Sequence, residues 1–342
     1  AVNEKRLNVT EFDFDDVKNN LKTFLKNQTQ FTDYDFEGSG MSALLDVLAY
    51  NTHYLGFNAN MLANEMFLDS ADQRSSVVSL AKQVGYTPRS ASSSKATIDV
   101  LVNNGSGSSI TMARGTKFTS TVDGTSYSFV NNADVSVSPV DGVYKFSNLD
   151  IFEGTYLNFK YTANTSDQDQ RFIIPNDNVD TTTLTVKVQN SSSDSTTNTY
   201  TLAQGITGLD STSEVYFLNE VENGRFEVYF GDGVLGKAIA DGNIVILDYI
   251  TCNRDEPNGA TTFTLSGNVG GFTNVTITTV DNAANGDGPE SIESIKFNAP
   301  RDFTSQDRAV TADDYKVLVK SLFANAQSVQ VYGGEDAATP DY

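Results

Sequence analysis

Residues Arg89–Val102 read RSASSSKATIDVLV, and the change of pattern inside this stretch decides the fold. Before it, apolar residues recur every three or four positions. After Ser94 they alternate, with Ile98, Val100 and Val102 separated by polar side chains. The first spacing lines one face of an α-helix and the second one face of a β-strand. The serine tract Arg89–Ser94 between them reads as a linker.

Towards the N-terminus, Val17, Leu21, Phe24 and Leu25 share one face of a short amphipathic helix after Asp13, a suitable N-cap. Beyond the Gly38-Ser39-Gly40 break, Met41, Leu44, Leu45, Leu48, Tyr50, Leu55, Phe57, Met61, Leu62, Met66, Phe67 and Leu68 surround much of a long helix. Such a helix needs contacts on more than one side. A third helix is expected to begin after Asp69 or Ser70, bury Val77, Val78, Leu80, Ala81 and Val84, and stop at Gly85 ahead of Pro88.

Towards the C-terminus, the alternation recurs at Tyr127 and Phe129 and at Leu184, Val186 and Val188. Asp123-Gly124, Asp141-Gly142 and Asn223-Gly224 supply hairpin turns, so the region is read as antiparallel β. The polar tract Asn190–Asn198 reads as an exposed loop. Helical signals then return. Pro289 suits a first helical position, Ile292 and Ile295 share a face, and Pro300 is expected to end that helix. A second helix is marked by the capping box Thr311 to Asp314, followed by Tyr315, Leu318, Val319 and Leu322 as its buried face. Ser328 to Tyr332 reads as a strand. The fold class is therefore α+β multidomain: an N-terminal helical region over 1–90, a β-rich region over 91–285 with room for an inserted β subdomain around 131–220, and a C-terminal α+β segment over 286–342.

A chain of 342 residues exceeds the usual size of one core. Its 44 acidic against 23 basic residues give a formal charge of −21, a field that repels nucleic-acid phosphates and anionic membranes. Cys252 is the only cysteine, which excludes an internal disulfide, and it reads as a buried small apolar residue. Ala1 to Thr10 is polar and unlike a signal peptide, and no segment is apolar enough to cross a bilayer, so a soluble chain folding in a cytoplasm is expected.

Few residues invite catalysis. His53 is the only histidine, so a multi-histidine metal site is excluded and a Ser-His-Asp triad would depend on this one residue; packing is its simpler role. Acidic clusters such as Asp13, Asp15 and Asp16, or Asp33, Asp35 and Glu37, are what a strongly acidic chain contains by chance. The segment Asp281 to Gly288 has glycine at the sixth position of a calcium loop but alanine at the third, and Ile292 where the bidentate glutamate belongs. Phe230 to Lys237 lacks the ending of a phosphate loop and reads instead as a hairpin whose turns need Gly231, Gly233 and Gly236. No cofactor or metal is expected.

Three blocks carry a family resemblance. Phe230 to Lys237 with Asp241-Gly242-Asn243-Ile244 and Asn258-Gly259-Ala260 resembles the central motif of baseplate J-like proteins. Asn285 to Ile292, Ala299-Pro300-Arg301, Gln306 to Thr311 and Asp314-Tyr315 resemble that family's C-terminal signature. Phe31 to Ser39, Leu44 to Thr52, Asn64 to Asp69 and Arg74 to Val78 resemble the wedge proteins of T-even-type contractile-tail phages.

The resemblance implies a non-enzymatic structural subunit of the virion, assembled in the host bacterial cytoplasm. It implies partners too: other baseplate wedge proteins, a second copy of the chain, and sheath-initiating or hub-proximal tail proteins, with no direct nucleic acid and no membrane insertion. By the same likeness the subunit links wedges into a ring around the tail hub and changes shape when the sheath contracts. Wedge proteins of this type are longer, so a short member or a missing C-terminal part are both open. A receptor- or glycan-binding tail module is the alternative reading. The candidate interface residues are Leu44, Leu48, Leu55, Met61, Leu62 and Phe67, facing partner helices or an internal helical hairpin. Arg308 either pairs with an acidic group near the capping box or is solvated.

Overall fold

The computed structural model describes residues 13–26, 38–103, 105–167, 169–203, 205, 208–221, 224–305, 308–322 and 329–333. Asn223, Gln306, Asp307, Ser328 and most of the Phe31 to Ser39 block lie outside them.

Helix α1 covers Phe14–Lys26, α2 Gly40–Glu65 and α3 Arg74–Gln83. Ser39 caps α2, its hydroxyl accepting from Ser42 N–H at 3.0 Å. Met66 to Leu68 fall just beyond the helix. The start of α3 is later than the apolar spacing predicts, because Glu65 holds the intervening turn: its carboxylate accepts from Asp72 N–H at 2.9 Å and from Gln73 N–H. At the other end Gly85, at φ 82°, donates to Lys82 O while Tyr86 donates to Ala81 O, the closing bonds of a left-handed helix stop. Phe24, expected on the buried face of α1, is 63 % exposed, whereas Val17 is buried.

Fifteen strands follow among the described residues. A six-stranded sheet has the order β14 (Thr264–Ser266), β3 (Lys117–Val122), β4 (Thr125–Asn131), β6 (Tyr144–Glu153), β1 (Lys95–Val102), β15 (Val275–Ala284). Strand β1 alternates half-buried and buried residues over its whole length, and Ala96, Ile98, Val100 and Val102 enter the core with Phe118, Phe129 and Phe146. The small pair β2 (Ile110–Met112) and β5 (Val135–Val137) adds Ile110 and Met112 to that core.

The chain between β6 and β14 forms a seven-stranded sheet ordered β7 (Thr155–Thr162), β13 (Ile244–Thr251), β9 (Val179–Gln189), β10 (Thr197–Leu202), β11 (Val215–Glu220), β12 (Phe226–Phe230), β8 (Phe172–Ile173). Its core holds Phe172, Val186, Val228, Leu247 and Tyr249. The two edge strands approach each other, with Tyr161 donating to Ile173 O at 2.6 Å and its ring 5.6 Å from that of Phe172. All pairings in this sheet are antiparallel except β10 with β11, which run parallel. The region is thus not wholly antiparallel.

Helices α4 (Ile292–Ser305) and α5 (Ala312–Leu322) follow. Pro289 precedes α4 and Ser291 caps it, accepting from Ser294 N–H at 3.2 Å. Pro300 lies inside α4 and does not end it. Proline removes the one N–H that would serve Lys296 O, and the helix continues past it, with Thr304 Oγ1 donating to Pro300 O at 3.0 Å. Tyr315, expected on the buried face of α5, is exposed, and Leu318 and Val319 are half-buried. Residues 329–333 are not a strand.

A third buried cluster joins the two ends of the chain: Ala71, Val77, Val78 and Ala81 around α3 pack with Ile295 and Ala299 of α4. The serine tract is no flexible linker either. Ser90, Ala91, Ser93 and Ser94 are buried where the three clusters meet. Ser90 Oγ accepts from Thr181 N–H at 3.0 Å, Ser93 N–H donates to Asp180 Oδ2 at 2.8 Å, and Ser94 Oγ donates to Asn258 Oδ1 at 2.8 Å. Short hydroxyls such as those of Ser90 and Ser94 fit such a crossing because they bond to nearby groups without needing the space of a longer side chain.

Candidate functional site

Helix α2 is built inside out. The stripe sheltered from solvent carries Ser42, Leu45, Ala49, His53, Gly56 and Asn60, three or four residues apart and mostly small or polar. Part of this stripe faces α1, where Val17 is buried and Lys18 pairs with Asp46 at 2.6 Å. The large apolar residues point outward. Leu44, Leu48, Leu55, Met61, Leu62 and Phe67 are 41–66 % exposed, and Val47, Tyr50, Tyr54, Phe57 and Met66 are exposed with them.

Rings of Tyr50, Tyr54 and Phe57 step along this face at 6.0 and 6.4 Å between centroids. Asp46 and Glu65 are the only carboxylates of the helix, Lys and Arg are absent from it, and Asp46 is already held by Lys18. At about 1.5 Å per residue α2 is about 39 Å long, and α1, half its length, can flank only half of it. The internal hairpin of α1 and α2 therefore leaves the six interface candidates uncovered.

The Phe230 to Lys237 motif does not join two paired strands. Strand β12 bonds to β11 and β8, while β13 bonds to β7 and β9. The segment after Phe230 crosses from one side of the seven-stranded sheet to the other, so the expected hairpin is replaced by a docked loop. Asp232 Oδ1 accepts from Val234 and Leu235 N–H, both at 2.9 Å, and those bonds hold its carboxyl below the usual range. Gly233 N–H donates to Gly236 O, Gly236 N–H to Asp210 O at 3.0 Å, and Lys237 Nζ meets Glu214 Oε1 at 2.7 Å. Gly233 and Gly236 have φ 87° and 88°. Val234 is left exposed at the tip.

At α5 the capping residues bond reciprocally: Thr311 Oγ1 accepts from Asp314 N–H at 3.2 Å, and Asp314 Oδ2 accepts from Thr311 N–H at 2.8 Å and Val310 N–H at 3.1 Å. The bond from Thr311 N–H is the main cause that holds the Asp314 carboxyl below its ordinary value, and the charge of Arg308 adds to it. Asp281 to Ala284, the first half of the calcium-like segment, are strand β15. Cys252 is buried, and burial pushes its thiol up. Buried carboxylates, which residue spacing did not reveal, stand at the junctions between sheets and helices; Asp248 meets Arg114 at 3.3 Å and Tyr156 OH at 2.8 Å.

The exposed apolar helix, the seven-stranded sheet and the C-terminal helix α5 each fall in a segment with a known counterpart. Residues 13–86 match the helical domain of baseplate wedge protein gp6-like proteins, residues 158–258 the third domain of bacteriophage baseplate wedge protein gp6, and residues 311–342 C-terminal domain I of baseplate structural protein gp6. The chain is also 30 % identical over 363 aligned positions, 96 % of its own length, to baseplate wedge protein gp6 of Enterobacteria phage T4. The chain resembles the gp6-like baseplate wedge proteins. It spans about half of that relative, 52 % of its length. Among solved structures, a chain of the anti-feeding prophage baseplate aligns over 92 % of this chain and 65 % of its own, with a TM-score of 0.31 and 10 % identity. The outward apolar face of α2 falls in the segment that matches the helical domain, and the docked glycine loop in the segment that matches the third domain.

Proposed function

We propose that the chain is a structural, non-enzymatic subunit of a phage baseplate wedge, located in the virion tail and assembled in the host cytoplasm. Its helical region, divided from the β-rich part near residue 90 and from the C-terminal segment near 286, presents α2 to helices of other wedge subunits and of a second copy of the chain. Wedges linked in this way close a ring around the hub, beside sheath-initiating or hub-proximal proteins, and the ring changes shape when contraction is triggered.

The observation that carries this reading is the charge-free apolar face of α2 in a chain of net charge −21. Wholly burying one Leu or Phe side chain is worth about 1.5–3 kcal/mol, so several such residues on one helix favour a permanent partner over water. Leu44, Leu48, Leu55, Met61, Leu62 and Phe67 are the proposed interface.

The test is a Leu48→Asp, Leu55→Asp double variant. Both side chains are exposed, so the isolated chain is expected to keep its stability within about 0.5 kcal/mol. In infected cells lacking the wild-type gene, the variant is expected to yield no complete baseplates by electron microscopy. Normal baseplates carrying the variant would overturn the reading.

A further inference from the structure

The described residues include six buried carboxylates, Glu153, Asp180, Glu220, Glu227, Asp248 and Glu290, each where two parts of the chain meet. They divide between two seams of different construction. At the seam between the sheets, Asp180 accepts from Ser93 N–H, Asp248 from Arg114, and Glu153 from Asn253 N–H at 2.9 Å and Nδ2 at 2.7 Å. The chain itself crosses this seam twice, at Gly154 and after Thr251. Those crossings are tight, since a Cβ on Gly154 would stand 2.1 Å from Thr251 O.

The second seam sets α3 and α4 against β11 and β12, and only side chains reach across it. Arg74 binds Glu220 through two bonds of 2.7 and 2.9 Å and also donates to Glu290 O. Lys82 meets Glu227 at 3.2 Å, and Thr87 Oγ1 donates to Leu218 O at 3.1 Å. Among the described residues, no backbone hydrogen bond joins α3 or α4 to the seven-stranded sheet.

The two helices bury their apolar residues on each other, in a cluster that contains no strand residue. Their connecting segments are also tied together: Ser92 and Asp287 exchange backbone bonds of 3.0 and 3.2 Å, and Glu290 N–H donates to Arg89 O at 3.0 Å. The buried Glu290 carboxylate locks the same body, accepting from Tyr86 OH, Arg89 N–H, Ser294 Oγ and Asn298 Nδ2.

We propose that α3 and α4 form one rigid body that undocks from the β11–β12 side of the seven-stranded sheet, with Arg74–Glu220 as the catch and the Ser92–Asp287 crossing as the pivot, while the seam between the sheets stays closed. Burial outweighs the attraction of Arg74 and raises the Glu220 carboxyl above its ordinary value, so a chain lacking either partner leaves the other without its match in the docked position, which disfavours docking. The clamp of Glu65 on Asp72 and Gln73 couples α2 to this body, so undocking swings the apolar face. The inference rests on the mechanical reading above for the occasion of the movement and not for the movement itself.

Distance measurement by double electron–electron resonance on the purified full chain, in a Cys252→Ala background, tests it. One label pair joins Ser79 on α3 to Thr199 on β10; a control pair joins Thr121 on β3 to Thr199. Arg74→Ala, and separately Glu220→Gln, which keeps the side-chain size, are expected to lengthen the first distance by about 5 Å or more, half a helix diameter, and to leave the control unchanged. An unchanged first distance in both variants, or equal lengthening of both pairs, would overturn the proposal. Because the purified chain is measured, undocking is read whether or not baseplates form. A lengthened first distance in a variant that still builds working baseplates would uphold the joint and count against its mechanical use.

Discussion

Gly231 lies so close to the far side of its own loop that a Cβ there would stand 2.3 Å from Leu235 O and 2.4 Å from the Gly236 carbonyl carbon. Both obstacles are backbone and cannot rotate away. Gly231→Ala is therefore expected to cost about 2–4 kcal/mol in urea unfolding, whereas Gly242→Ala, at φ 78° with open space around it, is expected to cost about 1 kcal/mol. Equal losses would show that φ, and not the close approach, dominates. Glu153 supplies a pH-dependent case. Burial raises its carboxyl above the ordinary 4.5, against the bonds from Asn253, so the folded chain holds that proton more tightly than the unfolded one. Its contribution is greatest below that ordinary value and declines as pH rises through the raised one. The stability difference between wild type and Glu153→Gln is expected to shift in favour of the variant from pH 4 to 7; a difference flat across that window would refute the assignment.

At the scale of elements, α2 shows how little a helix's burial follows from its apolar content. Leu45 is 3 % exposed and Ala49 fully covered, while larger neighbours one or two positions away face solvent. Leu45→Ala is expected to cost about 2–3 kcal/mol of unfolding free energy, measured by circular dichroism. The double aspartate variant on the outer face is expected to cost almost nothing in the same measurement, so the two faces separate folding from assembly. Helix starts and stops at Ser39, Gly85 and Thr311 were legible from residue type, because caps act through bonds three or four residues away. The delayed start of α3 was not, since Glu65 acts across seven residues.

At the scale of the whole molecule, three separate buried clusters share one chain, and the third is made from opposite ends of it. Such a molecule is not expected to unfold in a single step. Calorimetry should give a measured enthalpy larger than the van't Hoff value, with the α3–α4 body melting first because side chains alone hold it to the seven-stranded sheet; one transition with equal enthalpies would show that the seams couple all three clusters.

Period, caps and turn pairs in the sequence by themselves determined where helices give way to strands, that β1 buries alternate residues, and that the chain carries the three wedge-like blocks. These are local properties, set by φ/ψ preference and by bonds a few residues long. Only the tertiary structure decided that β12 and β13 part to different neighbours, that Pro300 sits within α4, and that the serine tract RSASSSKATIDVLV begins with is buried and not a tether. Each of those depends on groups distant in sequence, such as Asp180, Asn258 and Asp287 around the serines, whose partnership no local spacing encodes.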